Sequence, residues 1–167
     1  MPRLADRLSA AVGWLCARIV VAMVVAGALA AVLRYLAPVL GITPALNALG
    51  DVQWMLFSAV FLLGAAWALS EDAHVRVDVV YGGLSPRRRA MIDLAGTVLL
   101  LLPFCALLAW ASWPAVLDAV ALREGALDAG GLIRWPVKLL LPLGIGLLAL
   151  QGVAQAARAV VTLRQRP

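Results

Sequence analysis

Residues 70–89 read SEDAHVRVDVVYGGLSPRRR, and this polar stretch separates two long apolar runs. It holds the only histidine of the chain, three of the nine acidic residues and four of the fourteen lysines and arginines. Within it, HVRVDVV alternates apolar and polar residues as strands do, whereas Val77, Tyr81 and Leu84 have the spacing of a helix face. Because an isolated strand would leave its backbone groups unpaired, we predict a short amphipathic helix on the membrane surface.

The composition of the chain predicts whether water or lipid surrounds the folded protein. The chain of 167 residues is 64% hydrophobic and 14% charged, whereas soluble domains are about half apolar and about a quarter charged. A soluble domain of this length cannot bury so much apolar surface, so lipid must surround most of it. The net charge of +5 does not indicate nucleic-acid binding, because the arginines cluster at the ends of apolar runs, as they do at membrane flanks.

The apolar runs predict an all-α integral membrane protein, a single domain of residues 1–167 with four transmembrane helices. The N-terminus resembles a signal peptide, but its apolar run is too long, so we expect an uncleaved first span. Arg18 lies inside that span and should extend toward the N-terminal interface, because a charge is costly at the bilayer centre. The expected spans are about 8–36, 52–69, 90–117 and 136–161.

Proline and glycine predict the breaks between and within these spans. Residues 38–51 should form one short helical turn at the surface, with Thr43 as an N-cap before Pro44. Ser85 and Pro86 repeat that pair and should open the third span. Pro103 should kink the third span, because proline cannot donate the helical hydrogen bond.

The distribution of positive charge predicts the orientation. Four spans place both termini and residues 70–89 on one side, which carries nine lysines and arginines if Arg18 is left uncounted, against four on the other side. The positive-inside rule therefore predicts cytoplasmic termini and a cytoplasmic central stretch.

The residue types argue against an enzyme. One histidine cannot supply bis-histidine haem ligation, and the sequence lacks an HExxH motif and a cysteine cluster. Cys16 and Cys105 both lie in apolar runs and are interpreted as packing residues. We therefore expect no catalytic residue, no cofactor and no metal site.

The span centres also carry almost no polar group to hold a solute or an ion, which argues against an independent transporter. An accessory or scaffold subunit of a larger membrane complex fits better. Two alternatives stay open at this point: a small homo-oligomeric exporter, and an assembly subunit of an unrelated membrane complex. The charges of the central stretch have a plain interpretation as solvated loop residues, each contributing little when exposed.

Residues 63–93, LGAAWALSEDAHVRVDVVYGGLSPRRRAMID, resemble the small membrane subunit of tripartite ATP-independent periplasmic (TRAP) transporters. That family has an H-V-x-V-D run after the second helix, then a spacer, a Ser-Pro pair or similar, and an arginine-bearing start of the third helix. The matching positions here are His74, Val75, Val77, Asp78, Ser85, Pro86 and residues 87–89.

The resemblance implies a bacterial inner-membrane, multi-pass subunit that supports a large elevator-type permease subunit. The expected activity is ion-coupled, with sodium the expected ion, and takes up an organic acid that a periplasmic binding protein delivers. The expected partners are that permease, that binding protein and membrane lipids. The residues hypothesised to contact the permease or lipid headgroups are Glu71, His74, Arg76, Asp78, Arg87, Arg88 and Arg89. Arg123 and Arg134 are hypothesised to contribute to periplasmic docking.

Overall fold

A computed structural model describes residues 2–71, 81–127 and 130–164. Its helices are α1 (Pro2–Leu40), α2 (Thr43–Ser70), α3 (Pro86–Gly96), α4 (Leu102–Ala121), α5 (Trp135–Lys138) and α6 (Leu140–Arg164), with a π-helical segment (Thr97–Leu101) joining α3 to α4. The amphipathic helix predicted after the second span falls mainly on residues 72–80, outside the described residues.

Four helical stretches are long and apolar enough to cross a bilayer, which confirms the all-helical, four-span prediction for the described residues. They are Leu4–Ala37, Ala45–Ser70, Pro86–Ala121 and Trp135–Arg164. Each exceeds the roughly 20 residues that a membrane helix needs. The helices extend beyond the predicted spans at every end, because polar residues that leave the hydrocarbon can still continue the helical hydrogen bonding.

The connection between the first two spans is tighter than predicted. The helix α1 continues through Pro38 and ends before Gly41, which adopts a φ of 65° that favours glycine. Ile42, and not Thr43, is the N-cap of α2. The prediction of a separate surface turn was therefore wrong: residues 43–51 are the beginning of α2, because Pro44 is tolerated in the first helical turn and the residues after it continue the helix.

The third span changes its winding just before Pro103. Ser85 is the N-cap of α3 and Pro86 opens the helix, as predicted. In the π-helical segment the Leu102 N–H donates to the carbonyl of Thr97, five residues earlier. Since Pro103 has no N–H and its ring crowds the carbonyl of residue 99, the wider turn accommodates the proline without ending the span.

The last helix, α6, lies at the centre of the helix packing. It contacts α1, α2 and α3, the π-helical segment and α4, while α1 packs chiefly on α2. The third span therefore reaches the first two spans mainly through α6.

Small residues form the contacts between the helices. The buried apolar residues include Ala66, Cys105 and Ala119, whereas large side chains such as Phe61 and Leu100 face outward. Lipid provides no hydrophobic force between helices, so close backbone approach has to supply the attraction. A Cβ at Gly144 would lie 2.5 Å from the Leu62 carbonyl oxygen, which shows how closely α6 approaches α2.

Candidate partner-binding surfaces

A polar network joins the first and last helices at one end of the molecule, here called the terminal end. Gln151 of α6 is fully buried; it accepts a hydrogen bond from the Ser9 hydroxyl (3.2 Å) and donates one to the Asp6 carboxylate (3.2 Å). Arg158, two turns further along α6, donates to the same carboxylate oxygen at 2.6 Å. The network satisfies the buried amide and sets the register of α1 against α6.

A cavity of about 410 Å³ opens at the same end, between the end of α2, the start of α3 and the end of α6. Its polar lining includes Ser70, Arg89, Asp93 and Arg158. The Gln155 side-chain oxygen is buried beside these groups and has no hydrogen-bond partner among the described residues.

Two side chains, Tyr81 and Arg89, hold the turn before α3. The Tyr81 hydroxyl donates to the Asp93 carboxylate at 2.7 Å. Arg89 donates to the carbonyl oxygens of Gly82 and Leu84, and its guanidinium carbon lies 5.4 Å from the centroid of the Tyr81 ring. These contacts fold residues 81–85 back against the first turns of α3 and leave the neighbouring arginines free to point outward.

The structure separates the predicted contact residues of this end into two groups. Glu71 lies exposed at the C-terminus of α2, and Arg87 and Arg88 are exposed on the first turn of α3. Arg89 is half-buried and holds the turn. The other hypothesised positions, His74, Arg76 and Asp78, lie outside the described residues.

A compact loop closes the opposite end, here called the hairpin end. Gly125 and Ile133 form an isolated antiparallel bridge, and the Ala126 N–H donates to the carbonyl of Leu132 at 2.9 Å. The carbonyl of Glu124 accepts the N–H groups of both Arg134 and Trp135, and its carboxylate pairs with Lys138. The loop from residue 122 to residue 134 is therefore an ordered, hairpin-like turn where it is described.

Asp51 of α2 attaches this loop to the helices. Its carboxylate accepts the Leu132 N–H and an Arg134 N–H, both at 2.9 Å, and the residue is only 9% exposed. The Arg134 guanidinium carbon also lies 5.9 Å from the centroid of the Trp54 ring. Arg134, one of the two predicted docking residues, is thus engaged inside the chain.

Arg123, the other predicted docking residue, has a different environment. It is exposed at the end of α4 and adopts a left-handed φ of 47°. Around it, large apolar side chains face outward: Leu122 is 79% exposed, Leu127 99% and Ile133 61%. The two predicted docking residues therefore differ: Arg134 pairs with Asp51, whereas Arg123 is exposed.

Sequence reasoning missed the polar residues that fix the helices to one another. In α6, Gln151, Gln155 and Arg158 recur at the i, i+4, i+7 spacing of one helix face, a polar stripe within an apolar run. That spacing was a usable signal. Asp51 had none, because a single acid beside an apolar run does not reveal which distant arginine it meets.

The ion pairs of the described residues connect parts of this chain to one another. They include the pairs of Asp6, Asp51 and Glu124. Within the described ranges, no group of three or more His, Cys, Asp or Glu residues is placed to hold a metal. The arrangement holds helices in fixed register and presents exposed charged and apolar residues at its two ends.

A family model described as the DctQ component of tripartite ATP-independent periplasmic transporters matches residues 23–162, which is most of the chain. Comparisons with curated proteins and with solved structures gave no match.

Proposed function

This chain belongs to the DctQ-component family of tripartite ATP-independent periplasmic transporters, and from that membership we propose that it is the small membrane subunit that supports a large permease subunit. Members of this family are transporter components and not enzymes. In the proposal, the large subunit carries the solute and ion sites and moves, while this chain stays fixed beside it in the bacterial inner membrane.

We further propose that the complex takes up an organic acid, delivered by a periplasmic binding protein and coupled to sodium. The family description itself supports a periplasmic partner, because it names a tripartite periplasmic transporter. The acid and the ion follow from the resemblance in residues 63–93 and are open to direct test.

One observation favours a scaffold role most strongly. Two acidic side chains near the ends of the spans are bound by other residues of this chain. The Asp6 carboxylate is occupied by Arg158 and Gln151, and the Asp51 carboxylate by Arg134 and the Leu132 N–H. A carboxylate that already pairs with an arginine is less available to bind a transported ion. These acids therefore suit a rigid element better than a carrier.

The residues proposed to contact a partner differ in how exposed they are. Arg87 and Arg88 are exposed on α3, as is Glu71 at the end of α2, and they are proposed to contact the permease or lipid headgroups together with His74, Arg76 and Asp78. Arg89 is proposed to act indirectly, by holding the turn from which its neighbours project. At the hairpin end, Arg123 is the proposed docking residue, and Arg134 supports it by holding the loop against Asp51.

Reconstitution tests the supporting role. The chain is placed in proteoliposomes alone, with the large permease subunit, and with the permease plus the binding protein, under an inward sodium gradient. Uptake of a panel of isotopically labelled carboxylates is then measured. We expect vesicles holding this chain alone to match empty vesicles, and uptake to require all three proteins. Solute accumulation by this chain alone would favour an exporter or carrier and defeat the proposal.

The matched control replaces this chain with the double variant Arg87→Gln and Arg88→Gln. Both side chains are exposed, so the fold should be kept while contact with the permease or lipid is weakened. We expect less permease to co-purify with a tag on this chain and uptake to fall in proportion. Unchanged co-purification would remove these two arginines from the proposal without affecting the rest of it.

A further inference from the structure

An arginine and a tryptophan stack on the outward surface of α1, within the first apolar run. The guanidinium carbon of Arg18 lies 3.4 Å from the centroid of the Trp14 ring, one helical turn earlier. Trp14 is 62% exposed and Arg18 is exposed as well. The contact confirms the direction expected for Arg18, toward the N-terminal end of the helix.

No acid of the described chain neutralises this arginine. The only acidic residue of α1, Asp6, is occupied by Arg158 and Gln151 of α6. Within the described ranges Arg18 takes part in no side-chain hydrogen bond or ion pair, so its contact is the Trp14 ring alone. Stacking leaves the N–H donors at the edge of the guanidinium plane available to an outside acceptor.

The position of Arg18 along the helix places that acceptor at the membrane boundary. Arg18 and Arg34 are sixteen positions apart, which is about 24 Å of helix, somewhat less than the roughly 30 Å hydrocarbon core. If the midpoint between Arg18 and Arg34 lies at the bilayer centre, the backbone of Arg18 lies a few ångströms inside the hydrocarbon boundary. Because the guanidinium is directed back over Trp14, it reaches the level of the lipid headgroups.

The chemistry at that level selects the ligand. A guanidinium fork matches two oxygens of a phosphate, and tryptophan is the aromatic residue most at home at the membrane interface. Arg7 is exposed on the same face of α1, eleven residues earlier, so the local field is positive. We propose that Arg18 and Trp14 form a binding site for the phosphate of an anionic phospholipid, on the outer surface of the first span.

A lipid bound at this site would also affect the position of α1 in the bilayer. Much of the α1 surface lies outside the helix packing, where side chains such as Val21 and Val24 are exposed. A lipid held at Arg18 would fix the depth of that helix in the bilayer, and with it the height of the terminal end relative to a neighbouring protein.

Native mass spectrometry of the full-length chain in detergent tests the proposal. The protein is titrated with phosphatidylglycerol and with phosphatidylcholine that have identical acyl chains. We expect phosphatidylglycerol to be preferred, and the apparent affinity for it to fall about tenfold in Arg18→Gln, as loss of a charge-assisted bidentate contact implies. The variant Arg18→Lys should lie between the two, because it keeps the charge and loses the planar fork.

Two further variants make the test specific. Arg164→Gln removes the same charge from an exposed position at the terminal end without a described aromatic contact, and it should bind phosphatidylglycerol as the unchanged chain does. Trp14→Leu keeps the arginine and removes its stacking partner, so it should also weaken binding. It provides a second measurement if Arg18→Gln does not fold, which circular dichroism and gel filtration in detergent would reveal.

Three results would overturn the site. The first is equal binding of the two lipids by the unchanged chain. The second is undiminished phosphatidylglycerol binding in both Arg18→Gln and Trp14→Leu. The third is normal lipid binding by Arg18→Gln combined with loss of co-purifying permease, which would assign Arg18 to a carboxylate of a protein partner instead.

Discussion

At the residue scale, Asp51 shows how one side chain secures an entire loop. Its two oxygens accept a backbone N–H and a guanidinium N–H from residues more than eighty positions away in the chain. The carboxylate side chain is 11% exposed and its arginine partner 32%, so the pair is stronger than a surface ion pair yet incompletely desolvated. The Asp51 carboxylate thereby attaches the loop to α2.

Replacing Asp51 with asparagine should release this loop. The charge-assisted contacts are lost while the side-chain volume is kept, and we expect the free energy of unfolding to decrease. Thermal unfolding in detergent measures it, and limited proteolysis should show faster cleavage between residues 122 and 134.

The arginines at this end provide the matched comparison. The double variant with Arg134→Gln should lose little more than Asp51→Asn alone, because the two residues share one interaction. Arg123→Glu should leave stability unchanged and reduce only uptake that depends on the binding protein. Full additivity of the Asp51 and Arg134 effects would show that the described pair does not stabilise the loop.

At the element scale, the contact between α2 and α6 depends on the absence of a side chain. The backbone of Leu62 occupies the space beside Gly144, and a methyl group there would lie 2.5 Å from the carbonyl oxygen and 2.9 Å from the carbonyl carbon. Backbone atoms of a helix cannot move aside as a flexible side chain can. The helices would have to separate along their common contact.

Gly144→Ala should therefore destabilise the protein, whereas Gly146→Ala should not. Nothing lies within 4 Å of a Cβ at Gly146, so that variant gains helix propensity worth up to about 1 kcal/mol. Overpacking at Gly144 should cost about 1–3 kcal/mol. Unfolding of the two variants in the same detergent compares one added methyl group at two sites on one helix, and equal stabilities would show that the close approach is absent.

At the scale of the whole molecule, the way the helices pack decides which helix surfaces a partner can contact. Because α6 lies between the third span and the first two, it carries more buried residues than the other spans. The outward surfaces of α1 and α4 carry large apolar side chains such as Val24 and Leu107. A neighbouring subunit or lipid therefore meets α1 and the third span first.

Cysteine labelling tests the orientation that the positive charges predict. In a background with Cys16 and Cys105 changed to alanine, a single cysteine replaces Leu127 at the hairpin end or Gly83 at the terminal end. Both positions are exposed. In intact cells a membrane-impermeant maleimide should label position 127, and it should label position 83 only after the membrane is opened.

The cysteine-free background provides the control and should remain unlabelled. Labelling of position 83 in intact cells, with position 127 protected, would reverse the orientation and place the hairpin end in the cytoplasm. The helix packing itself would be unaffected by that result.

Much of the fold was predictable because apolar length is a local property. Four runs long enough to cross a bilayer could be counted directly, and Ser85 with Pro86 predicted the start of α3 correctly. The beginning of α2 was misplaced because Pro44 is compatible with a helix start and with a separate turn alike. The contacts of the candidate surfaces were less predictable, since exposure of a charge depends on what lies beside it.

The sequence by itself determined the all-helical class, the number of membrane-length helices and the family, because each depends on residue types at short spacing along the chain. Only the tertiary structure decided that Asp6 meets Arg158, 152 positions away, and that Asp51 meets Arg134. Those choices depend on which helix faces come together, and that depends on close fits such as Gly144 on Leu62. A pattern along one helix does not specify the face of its neighbour.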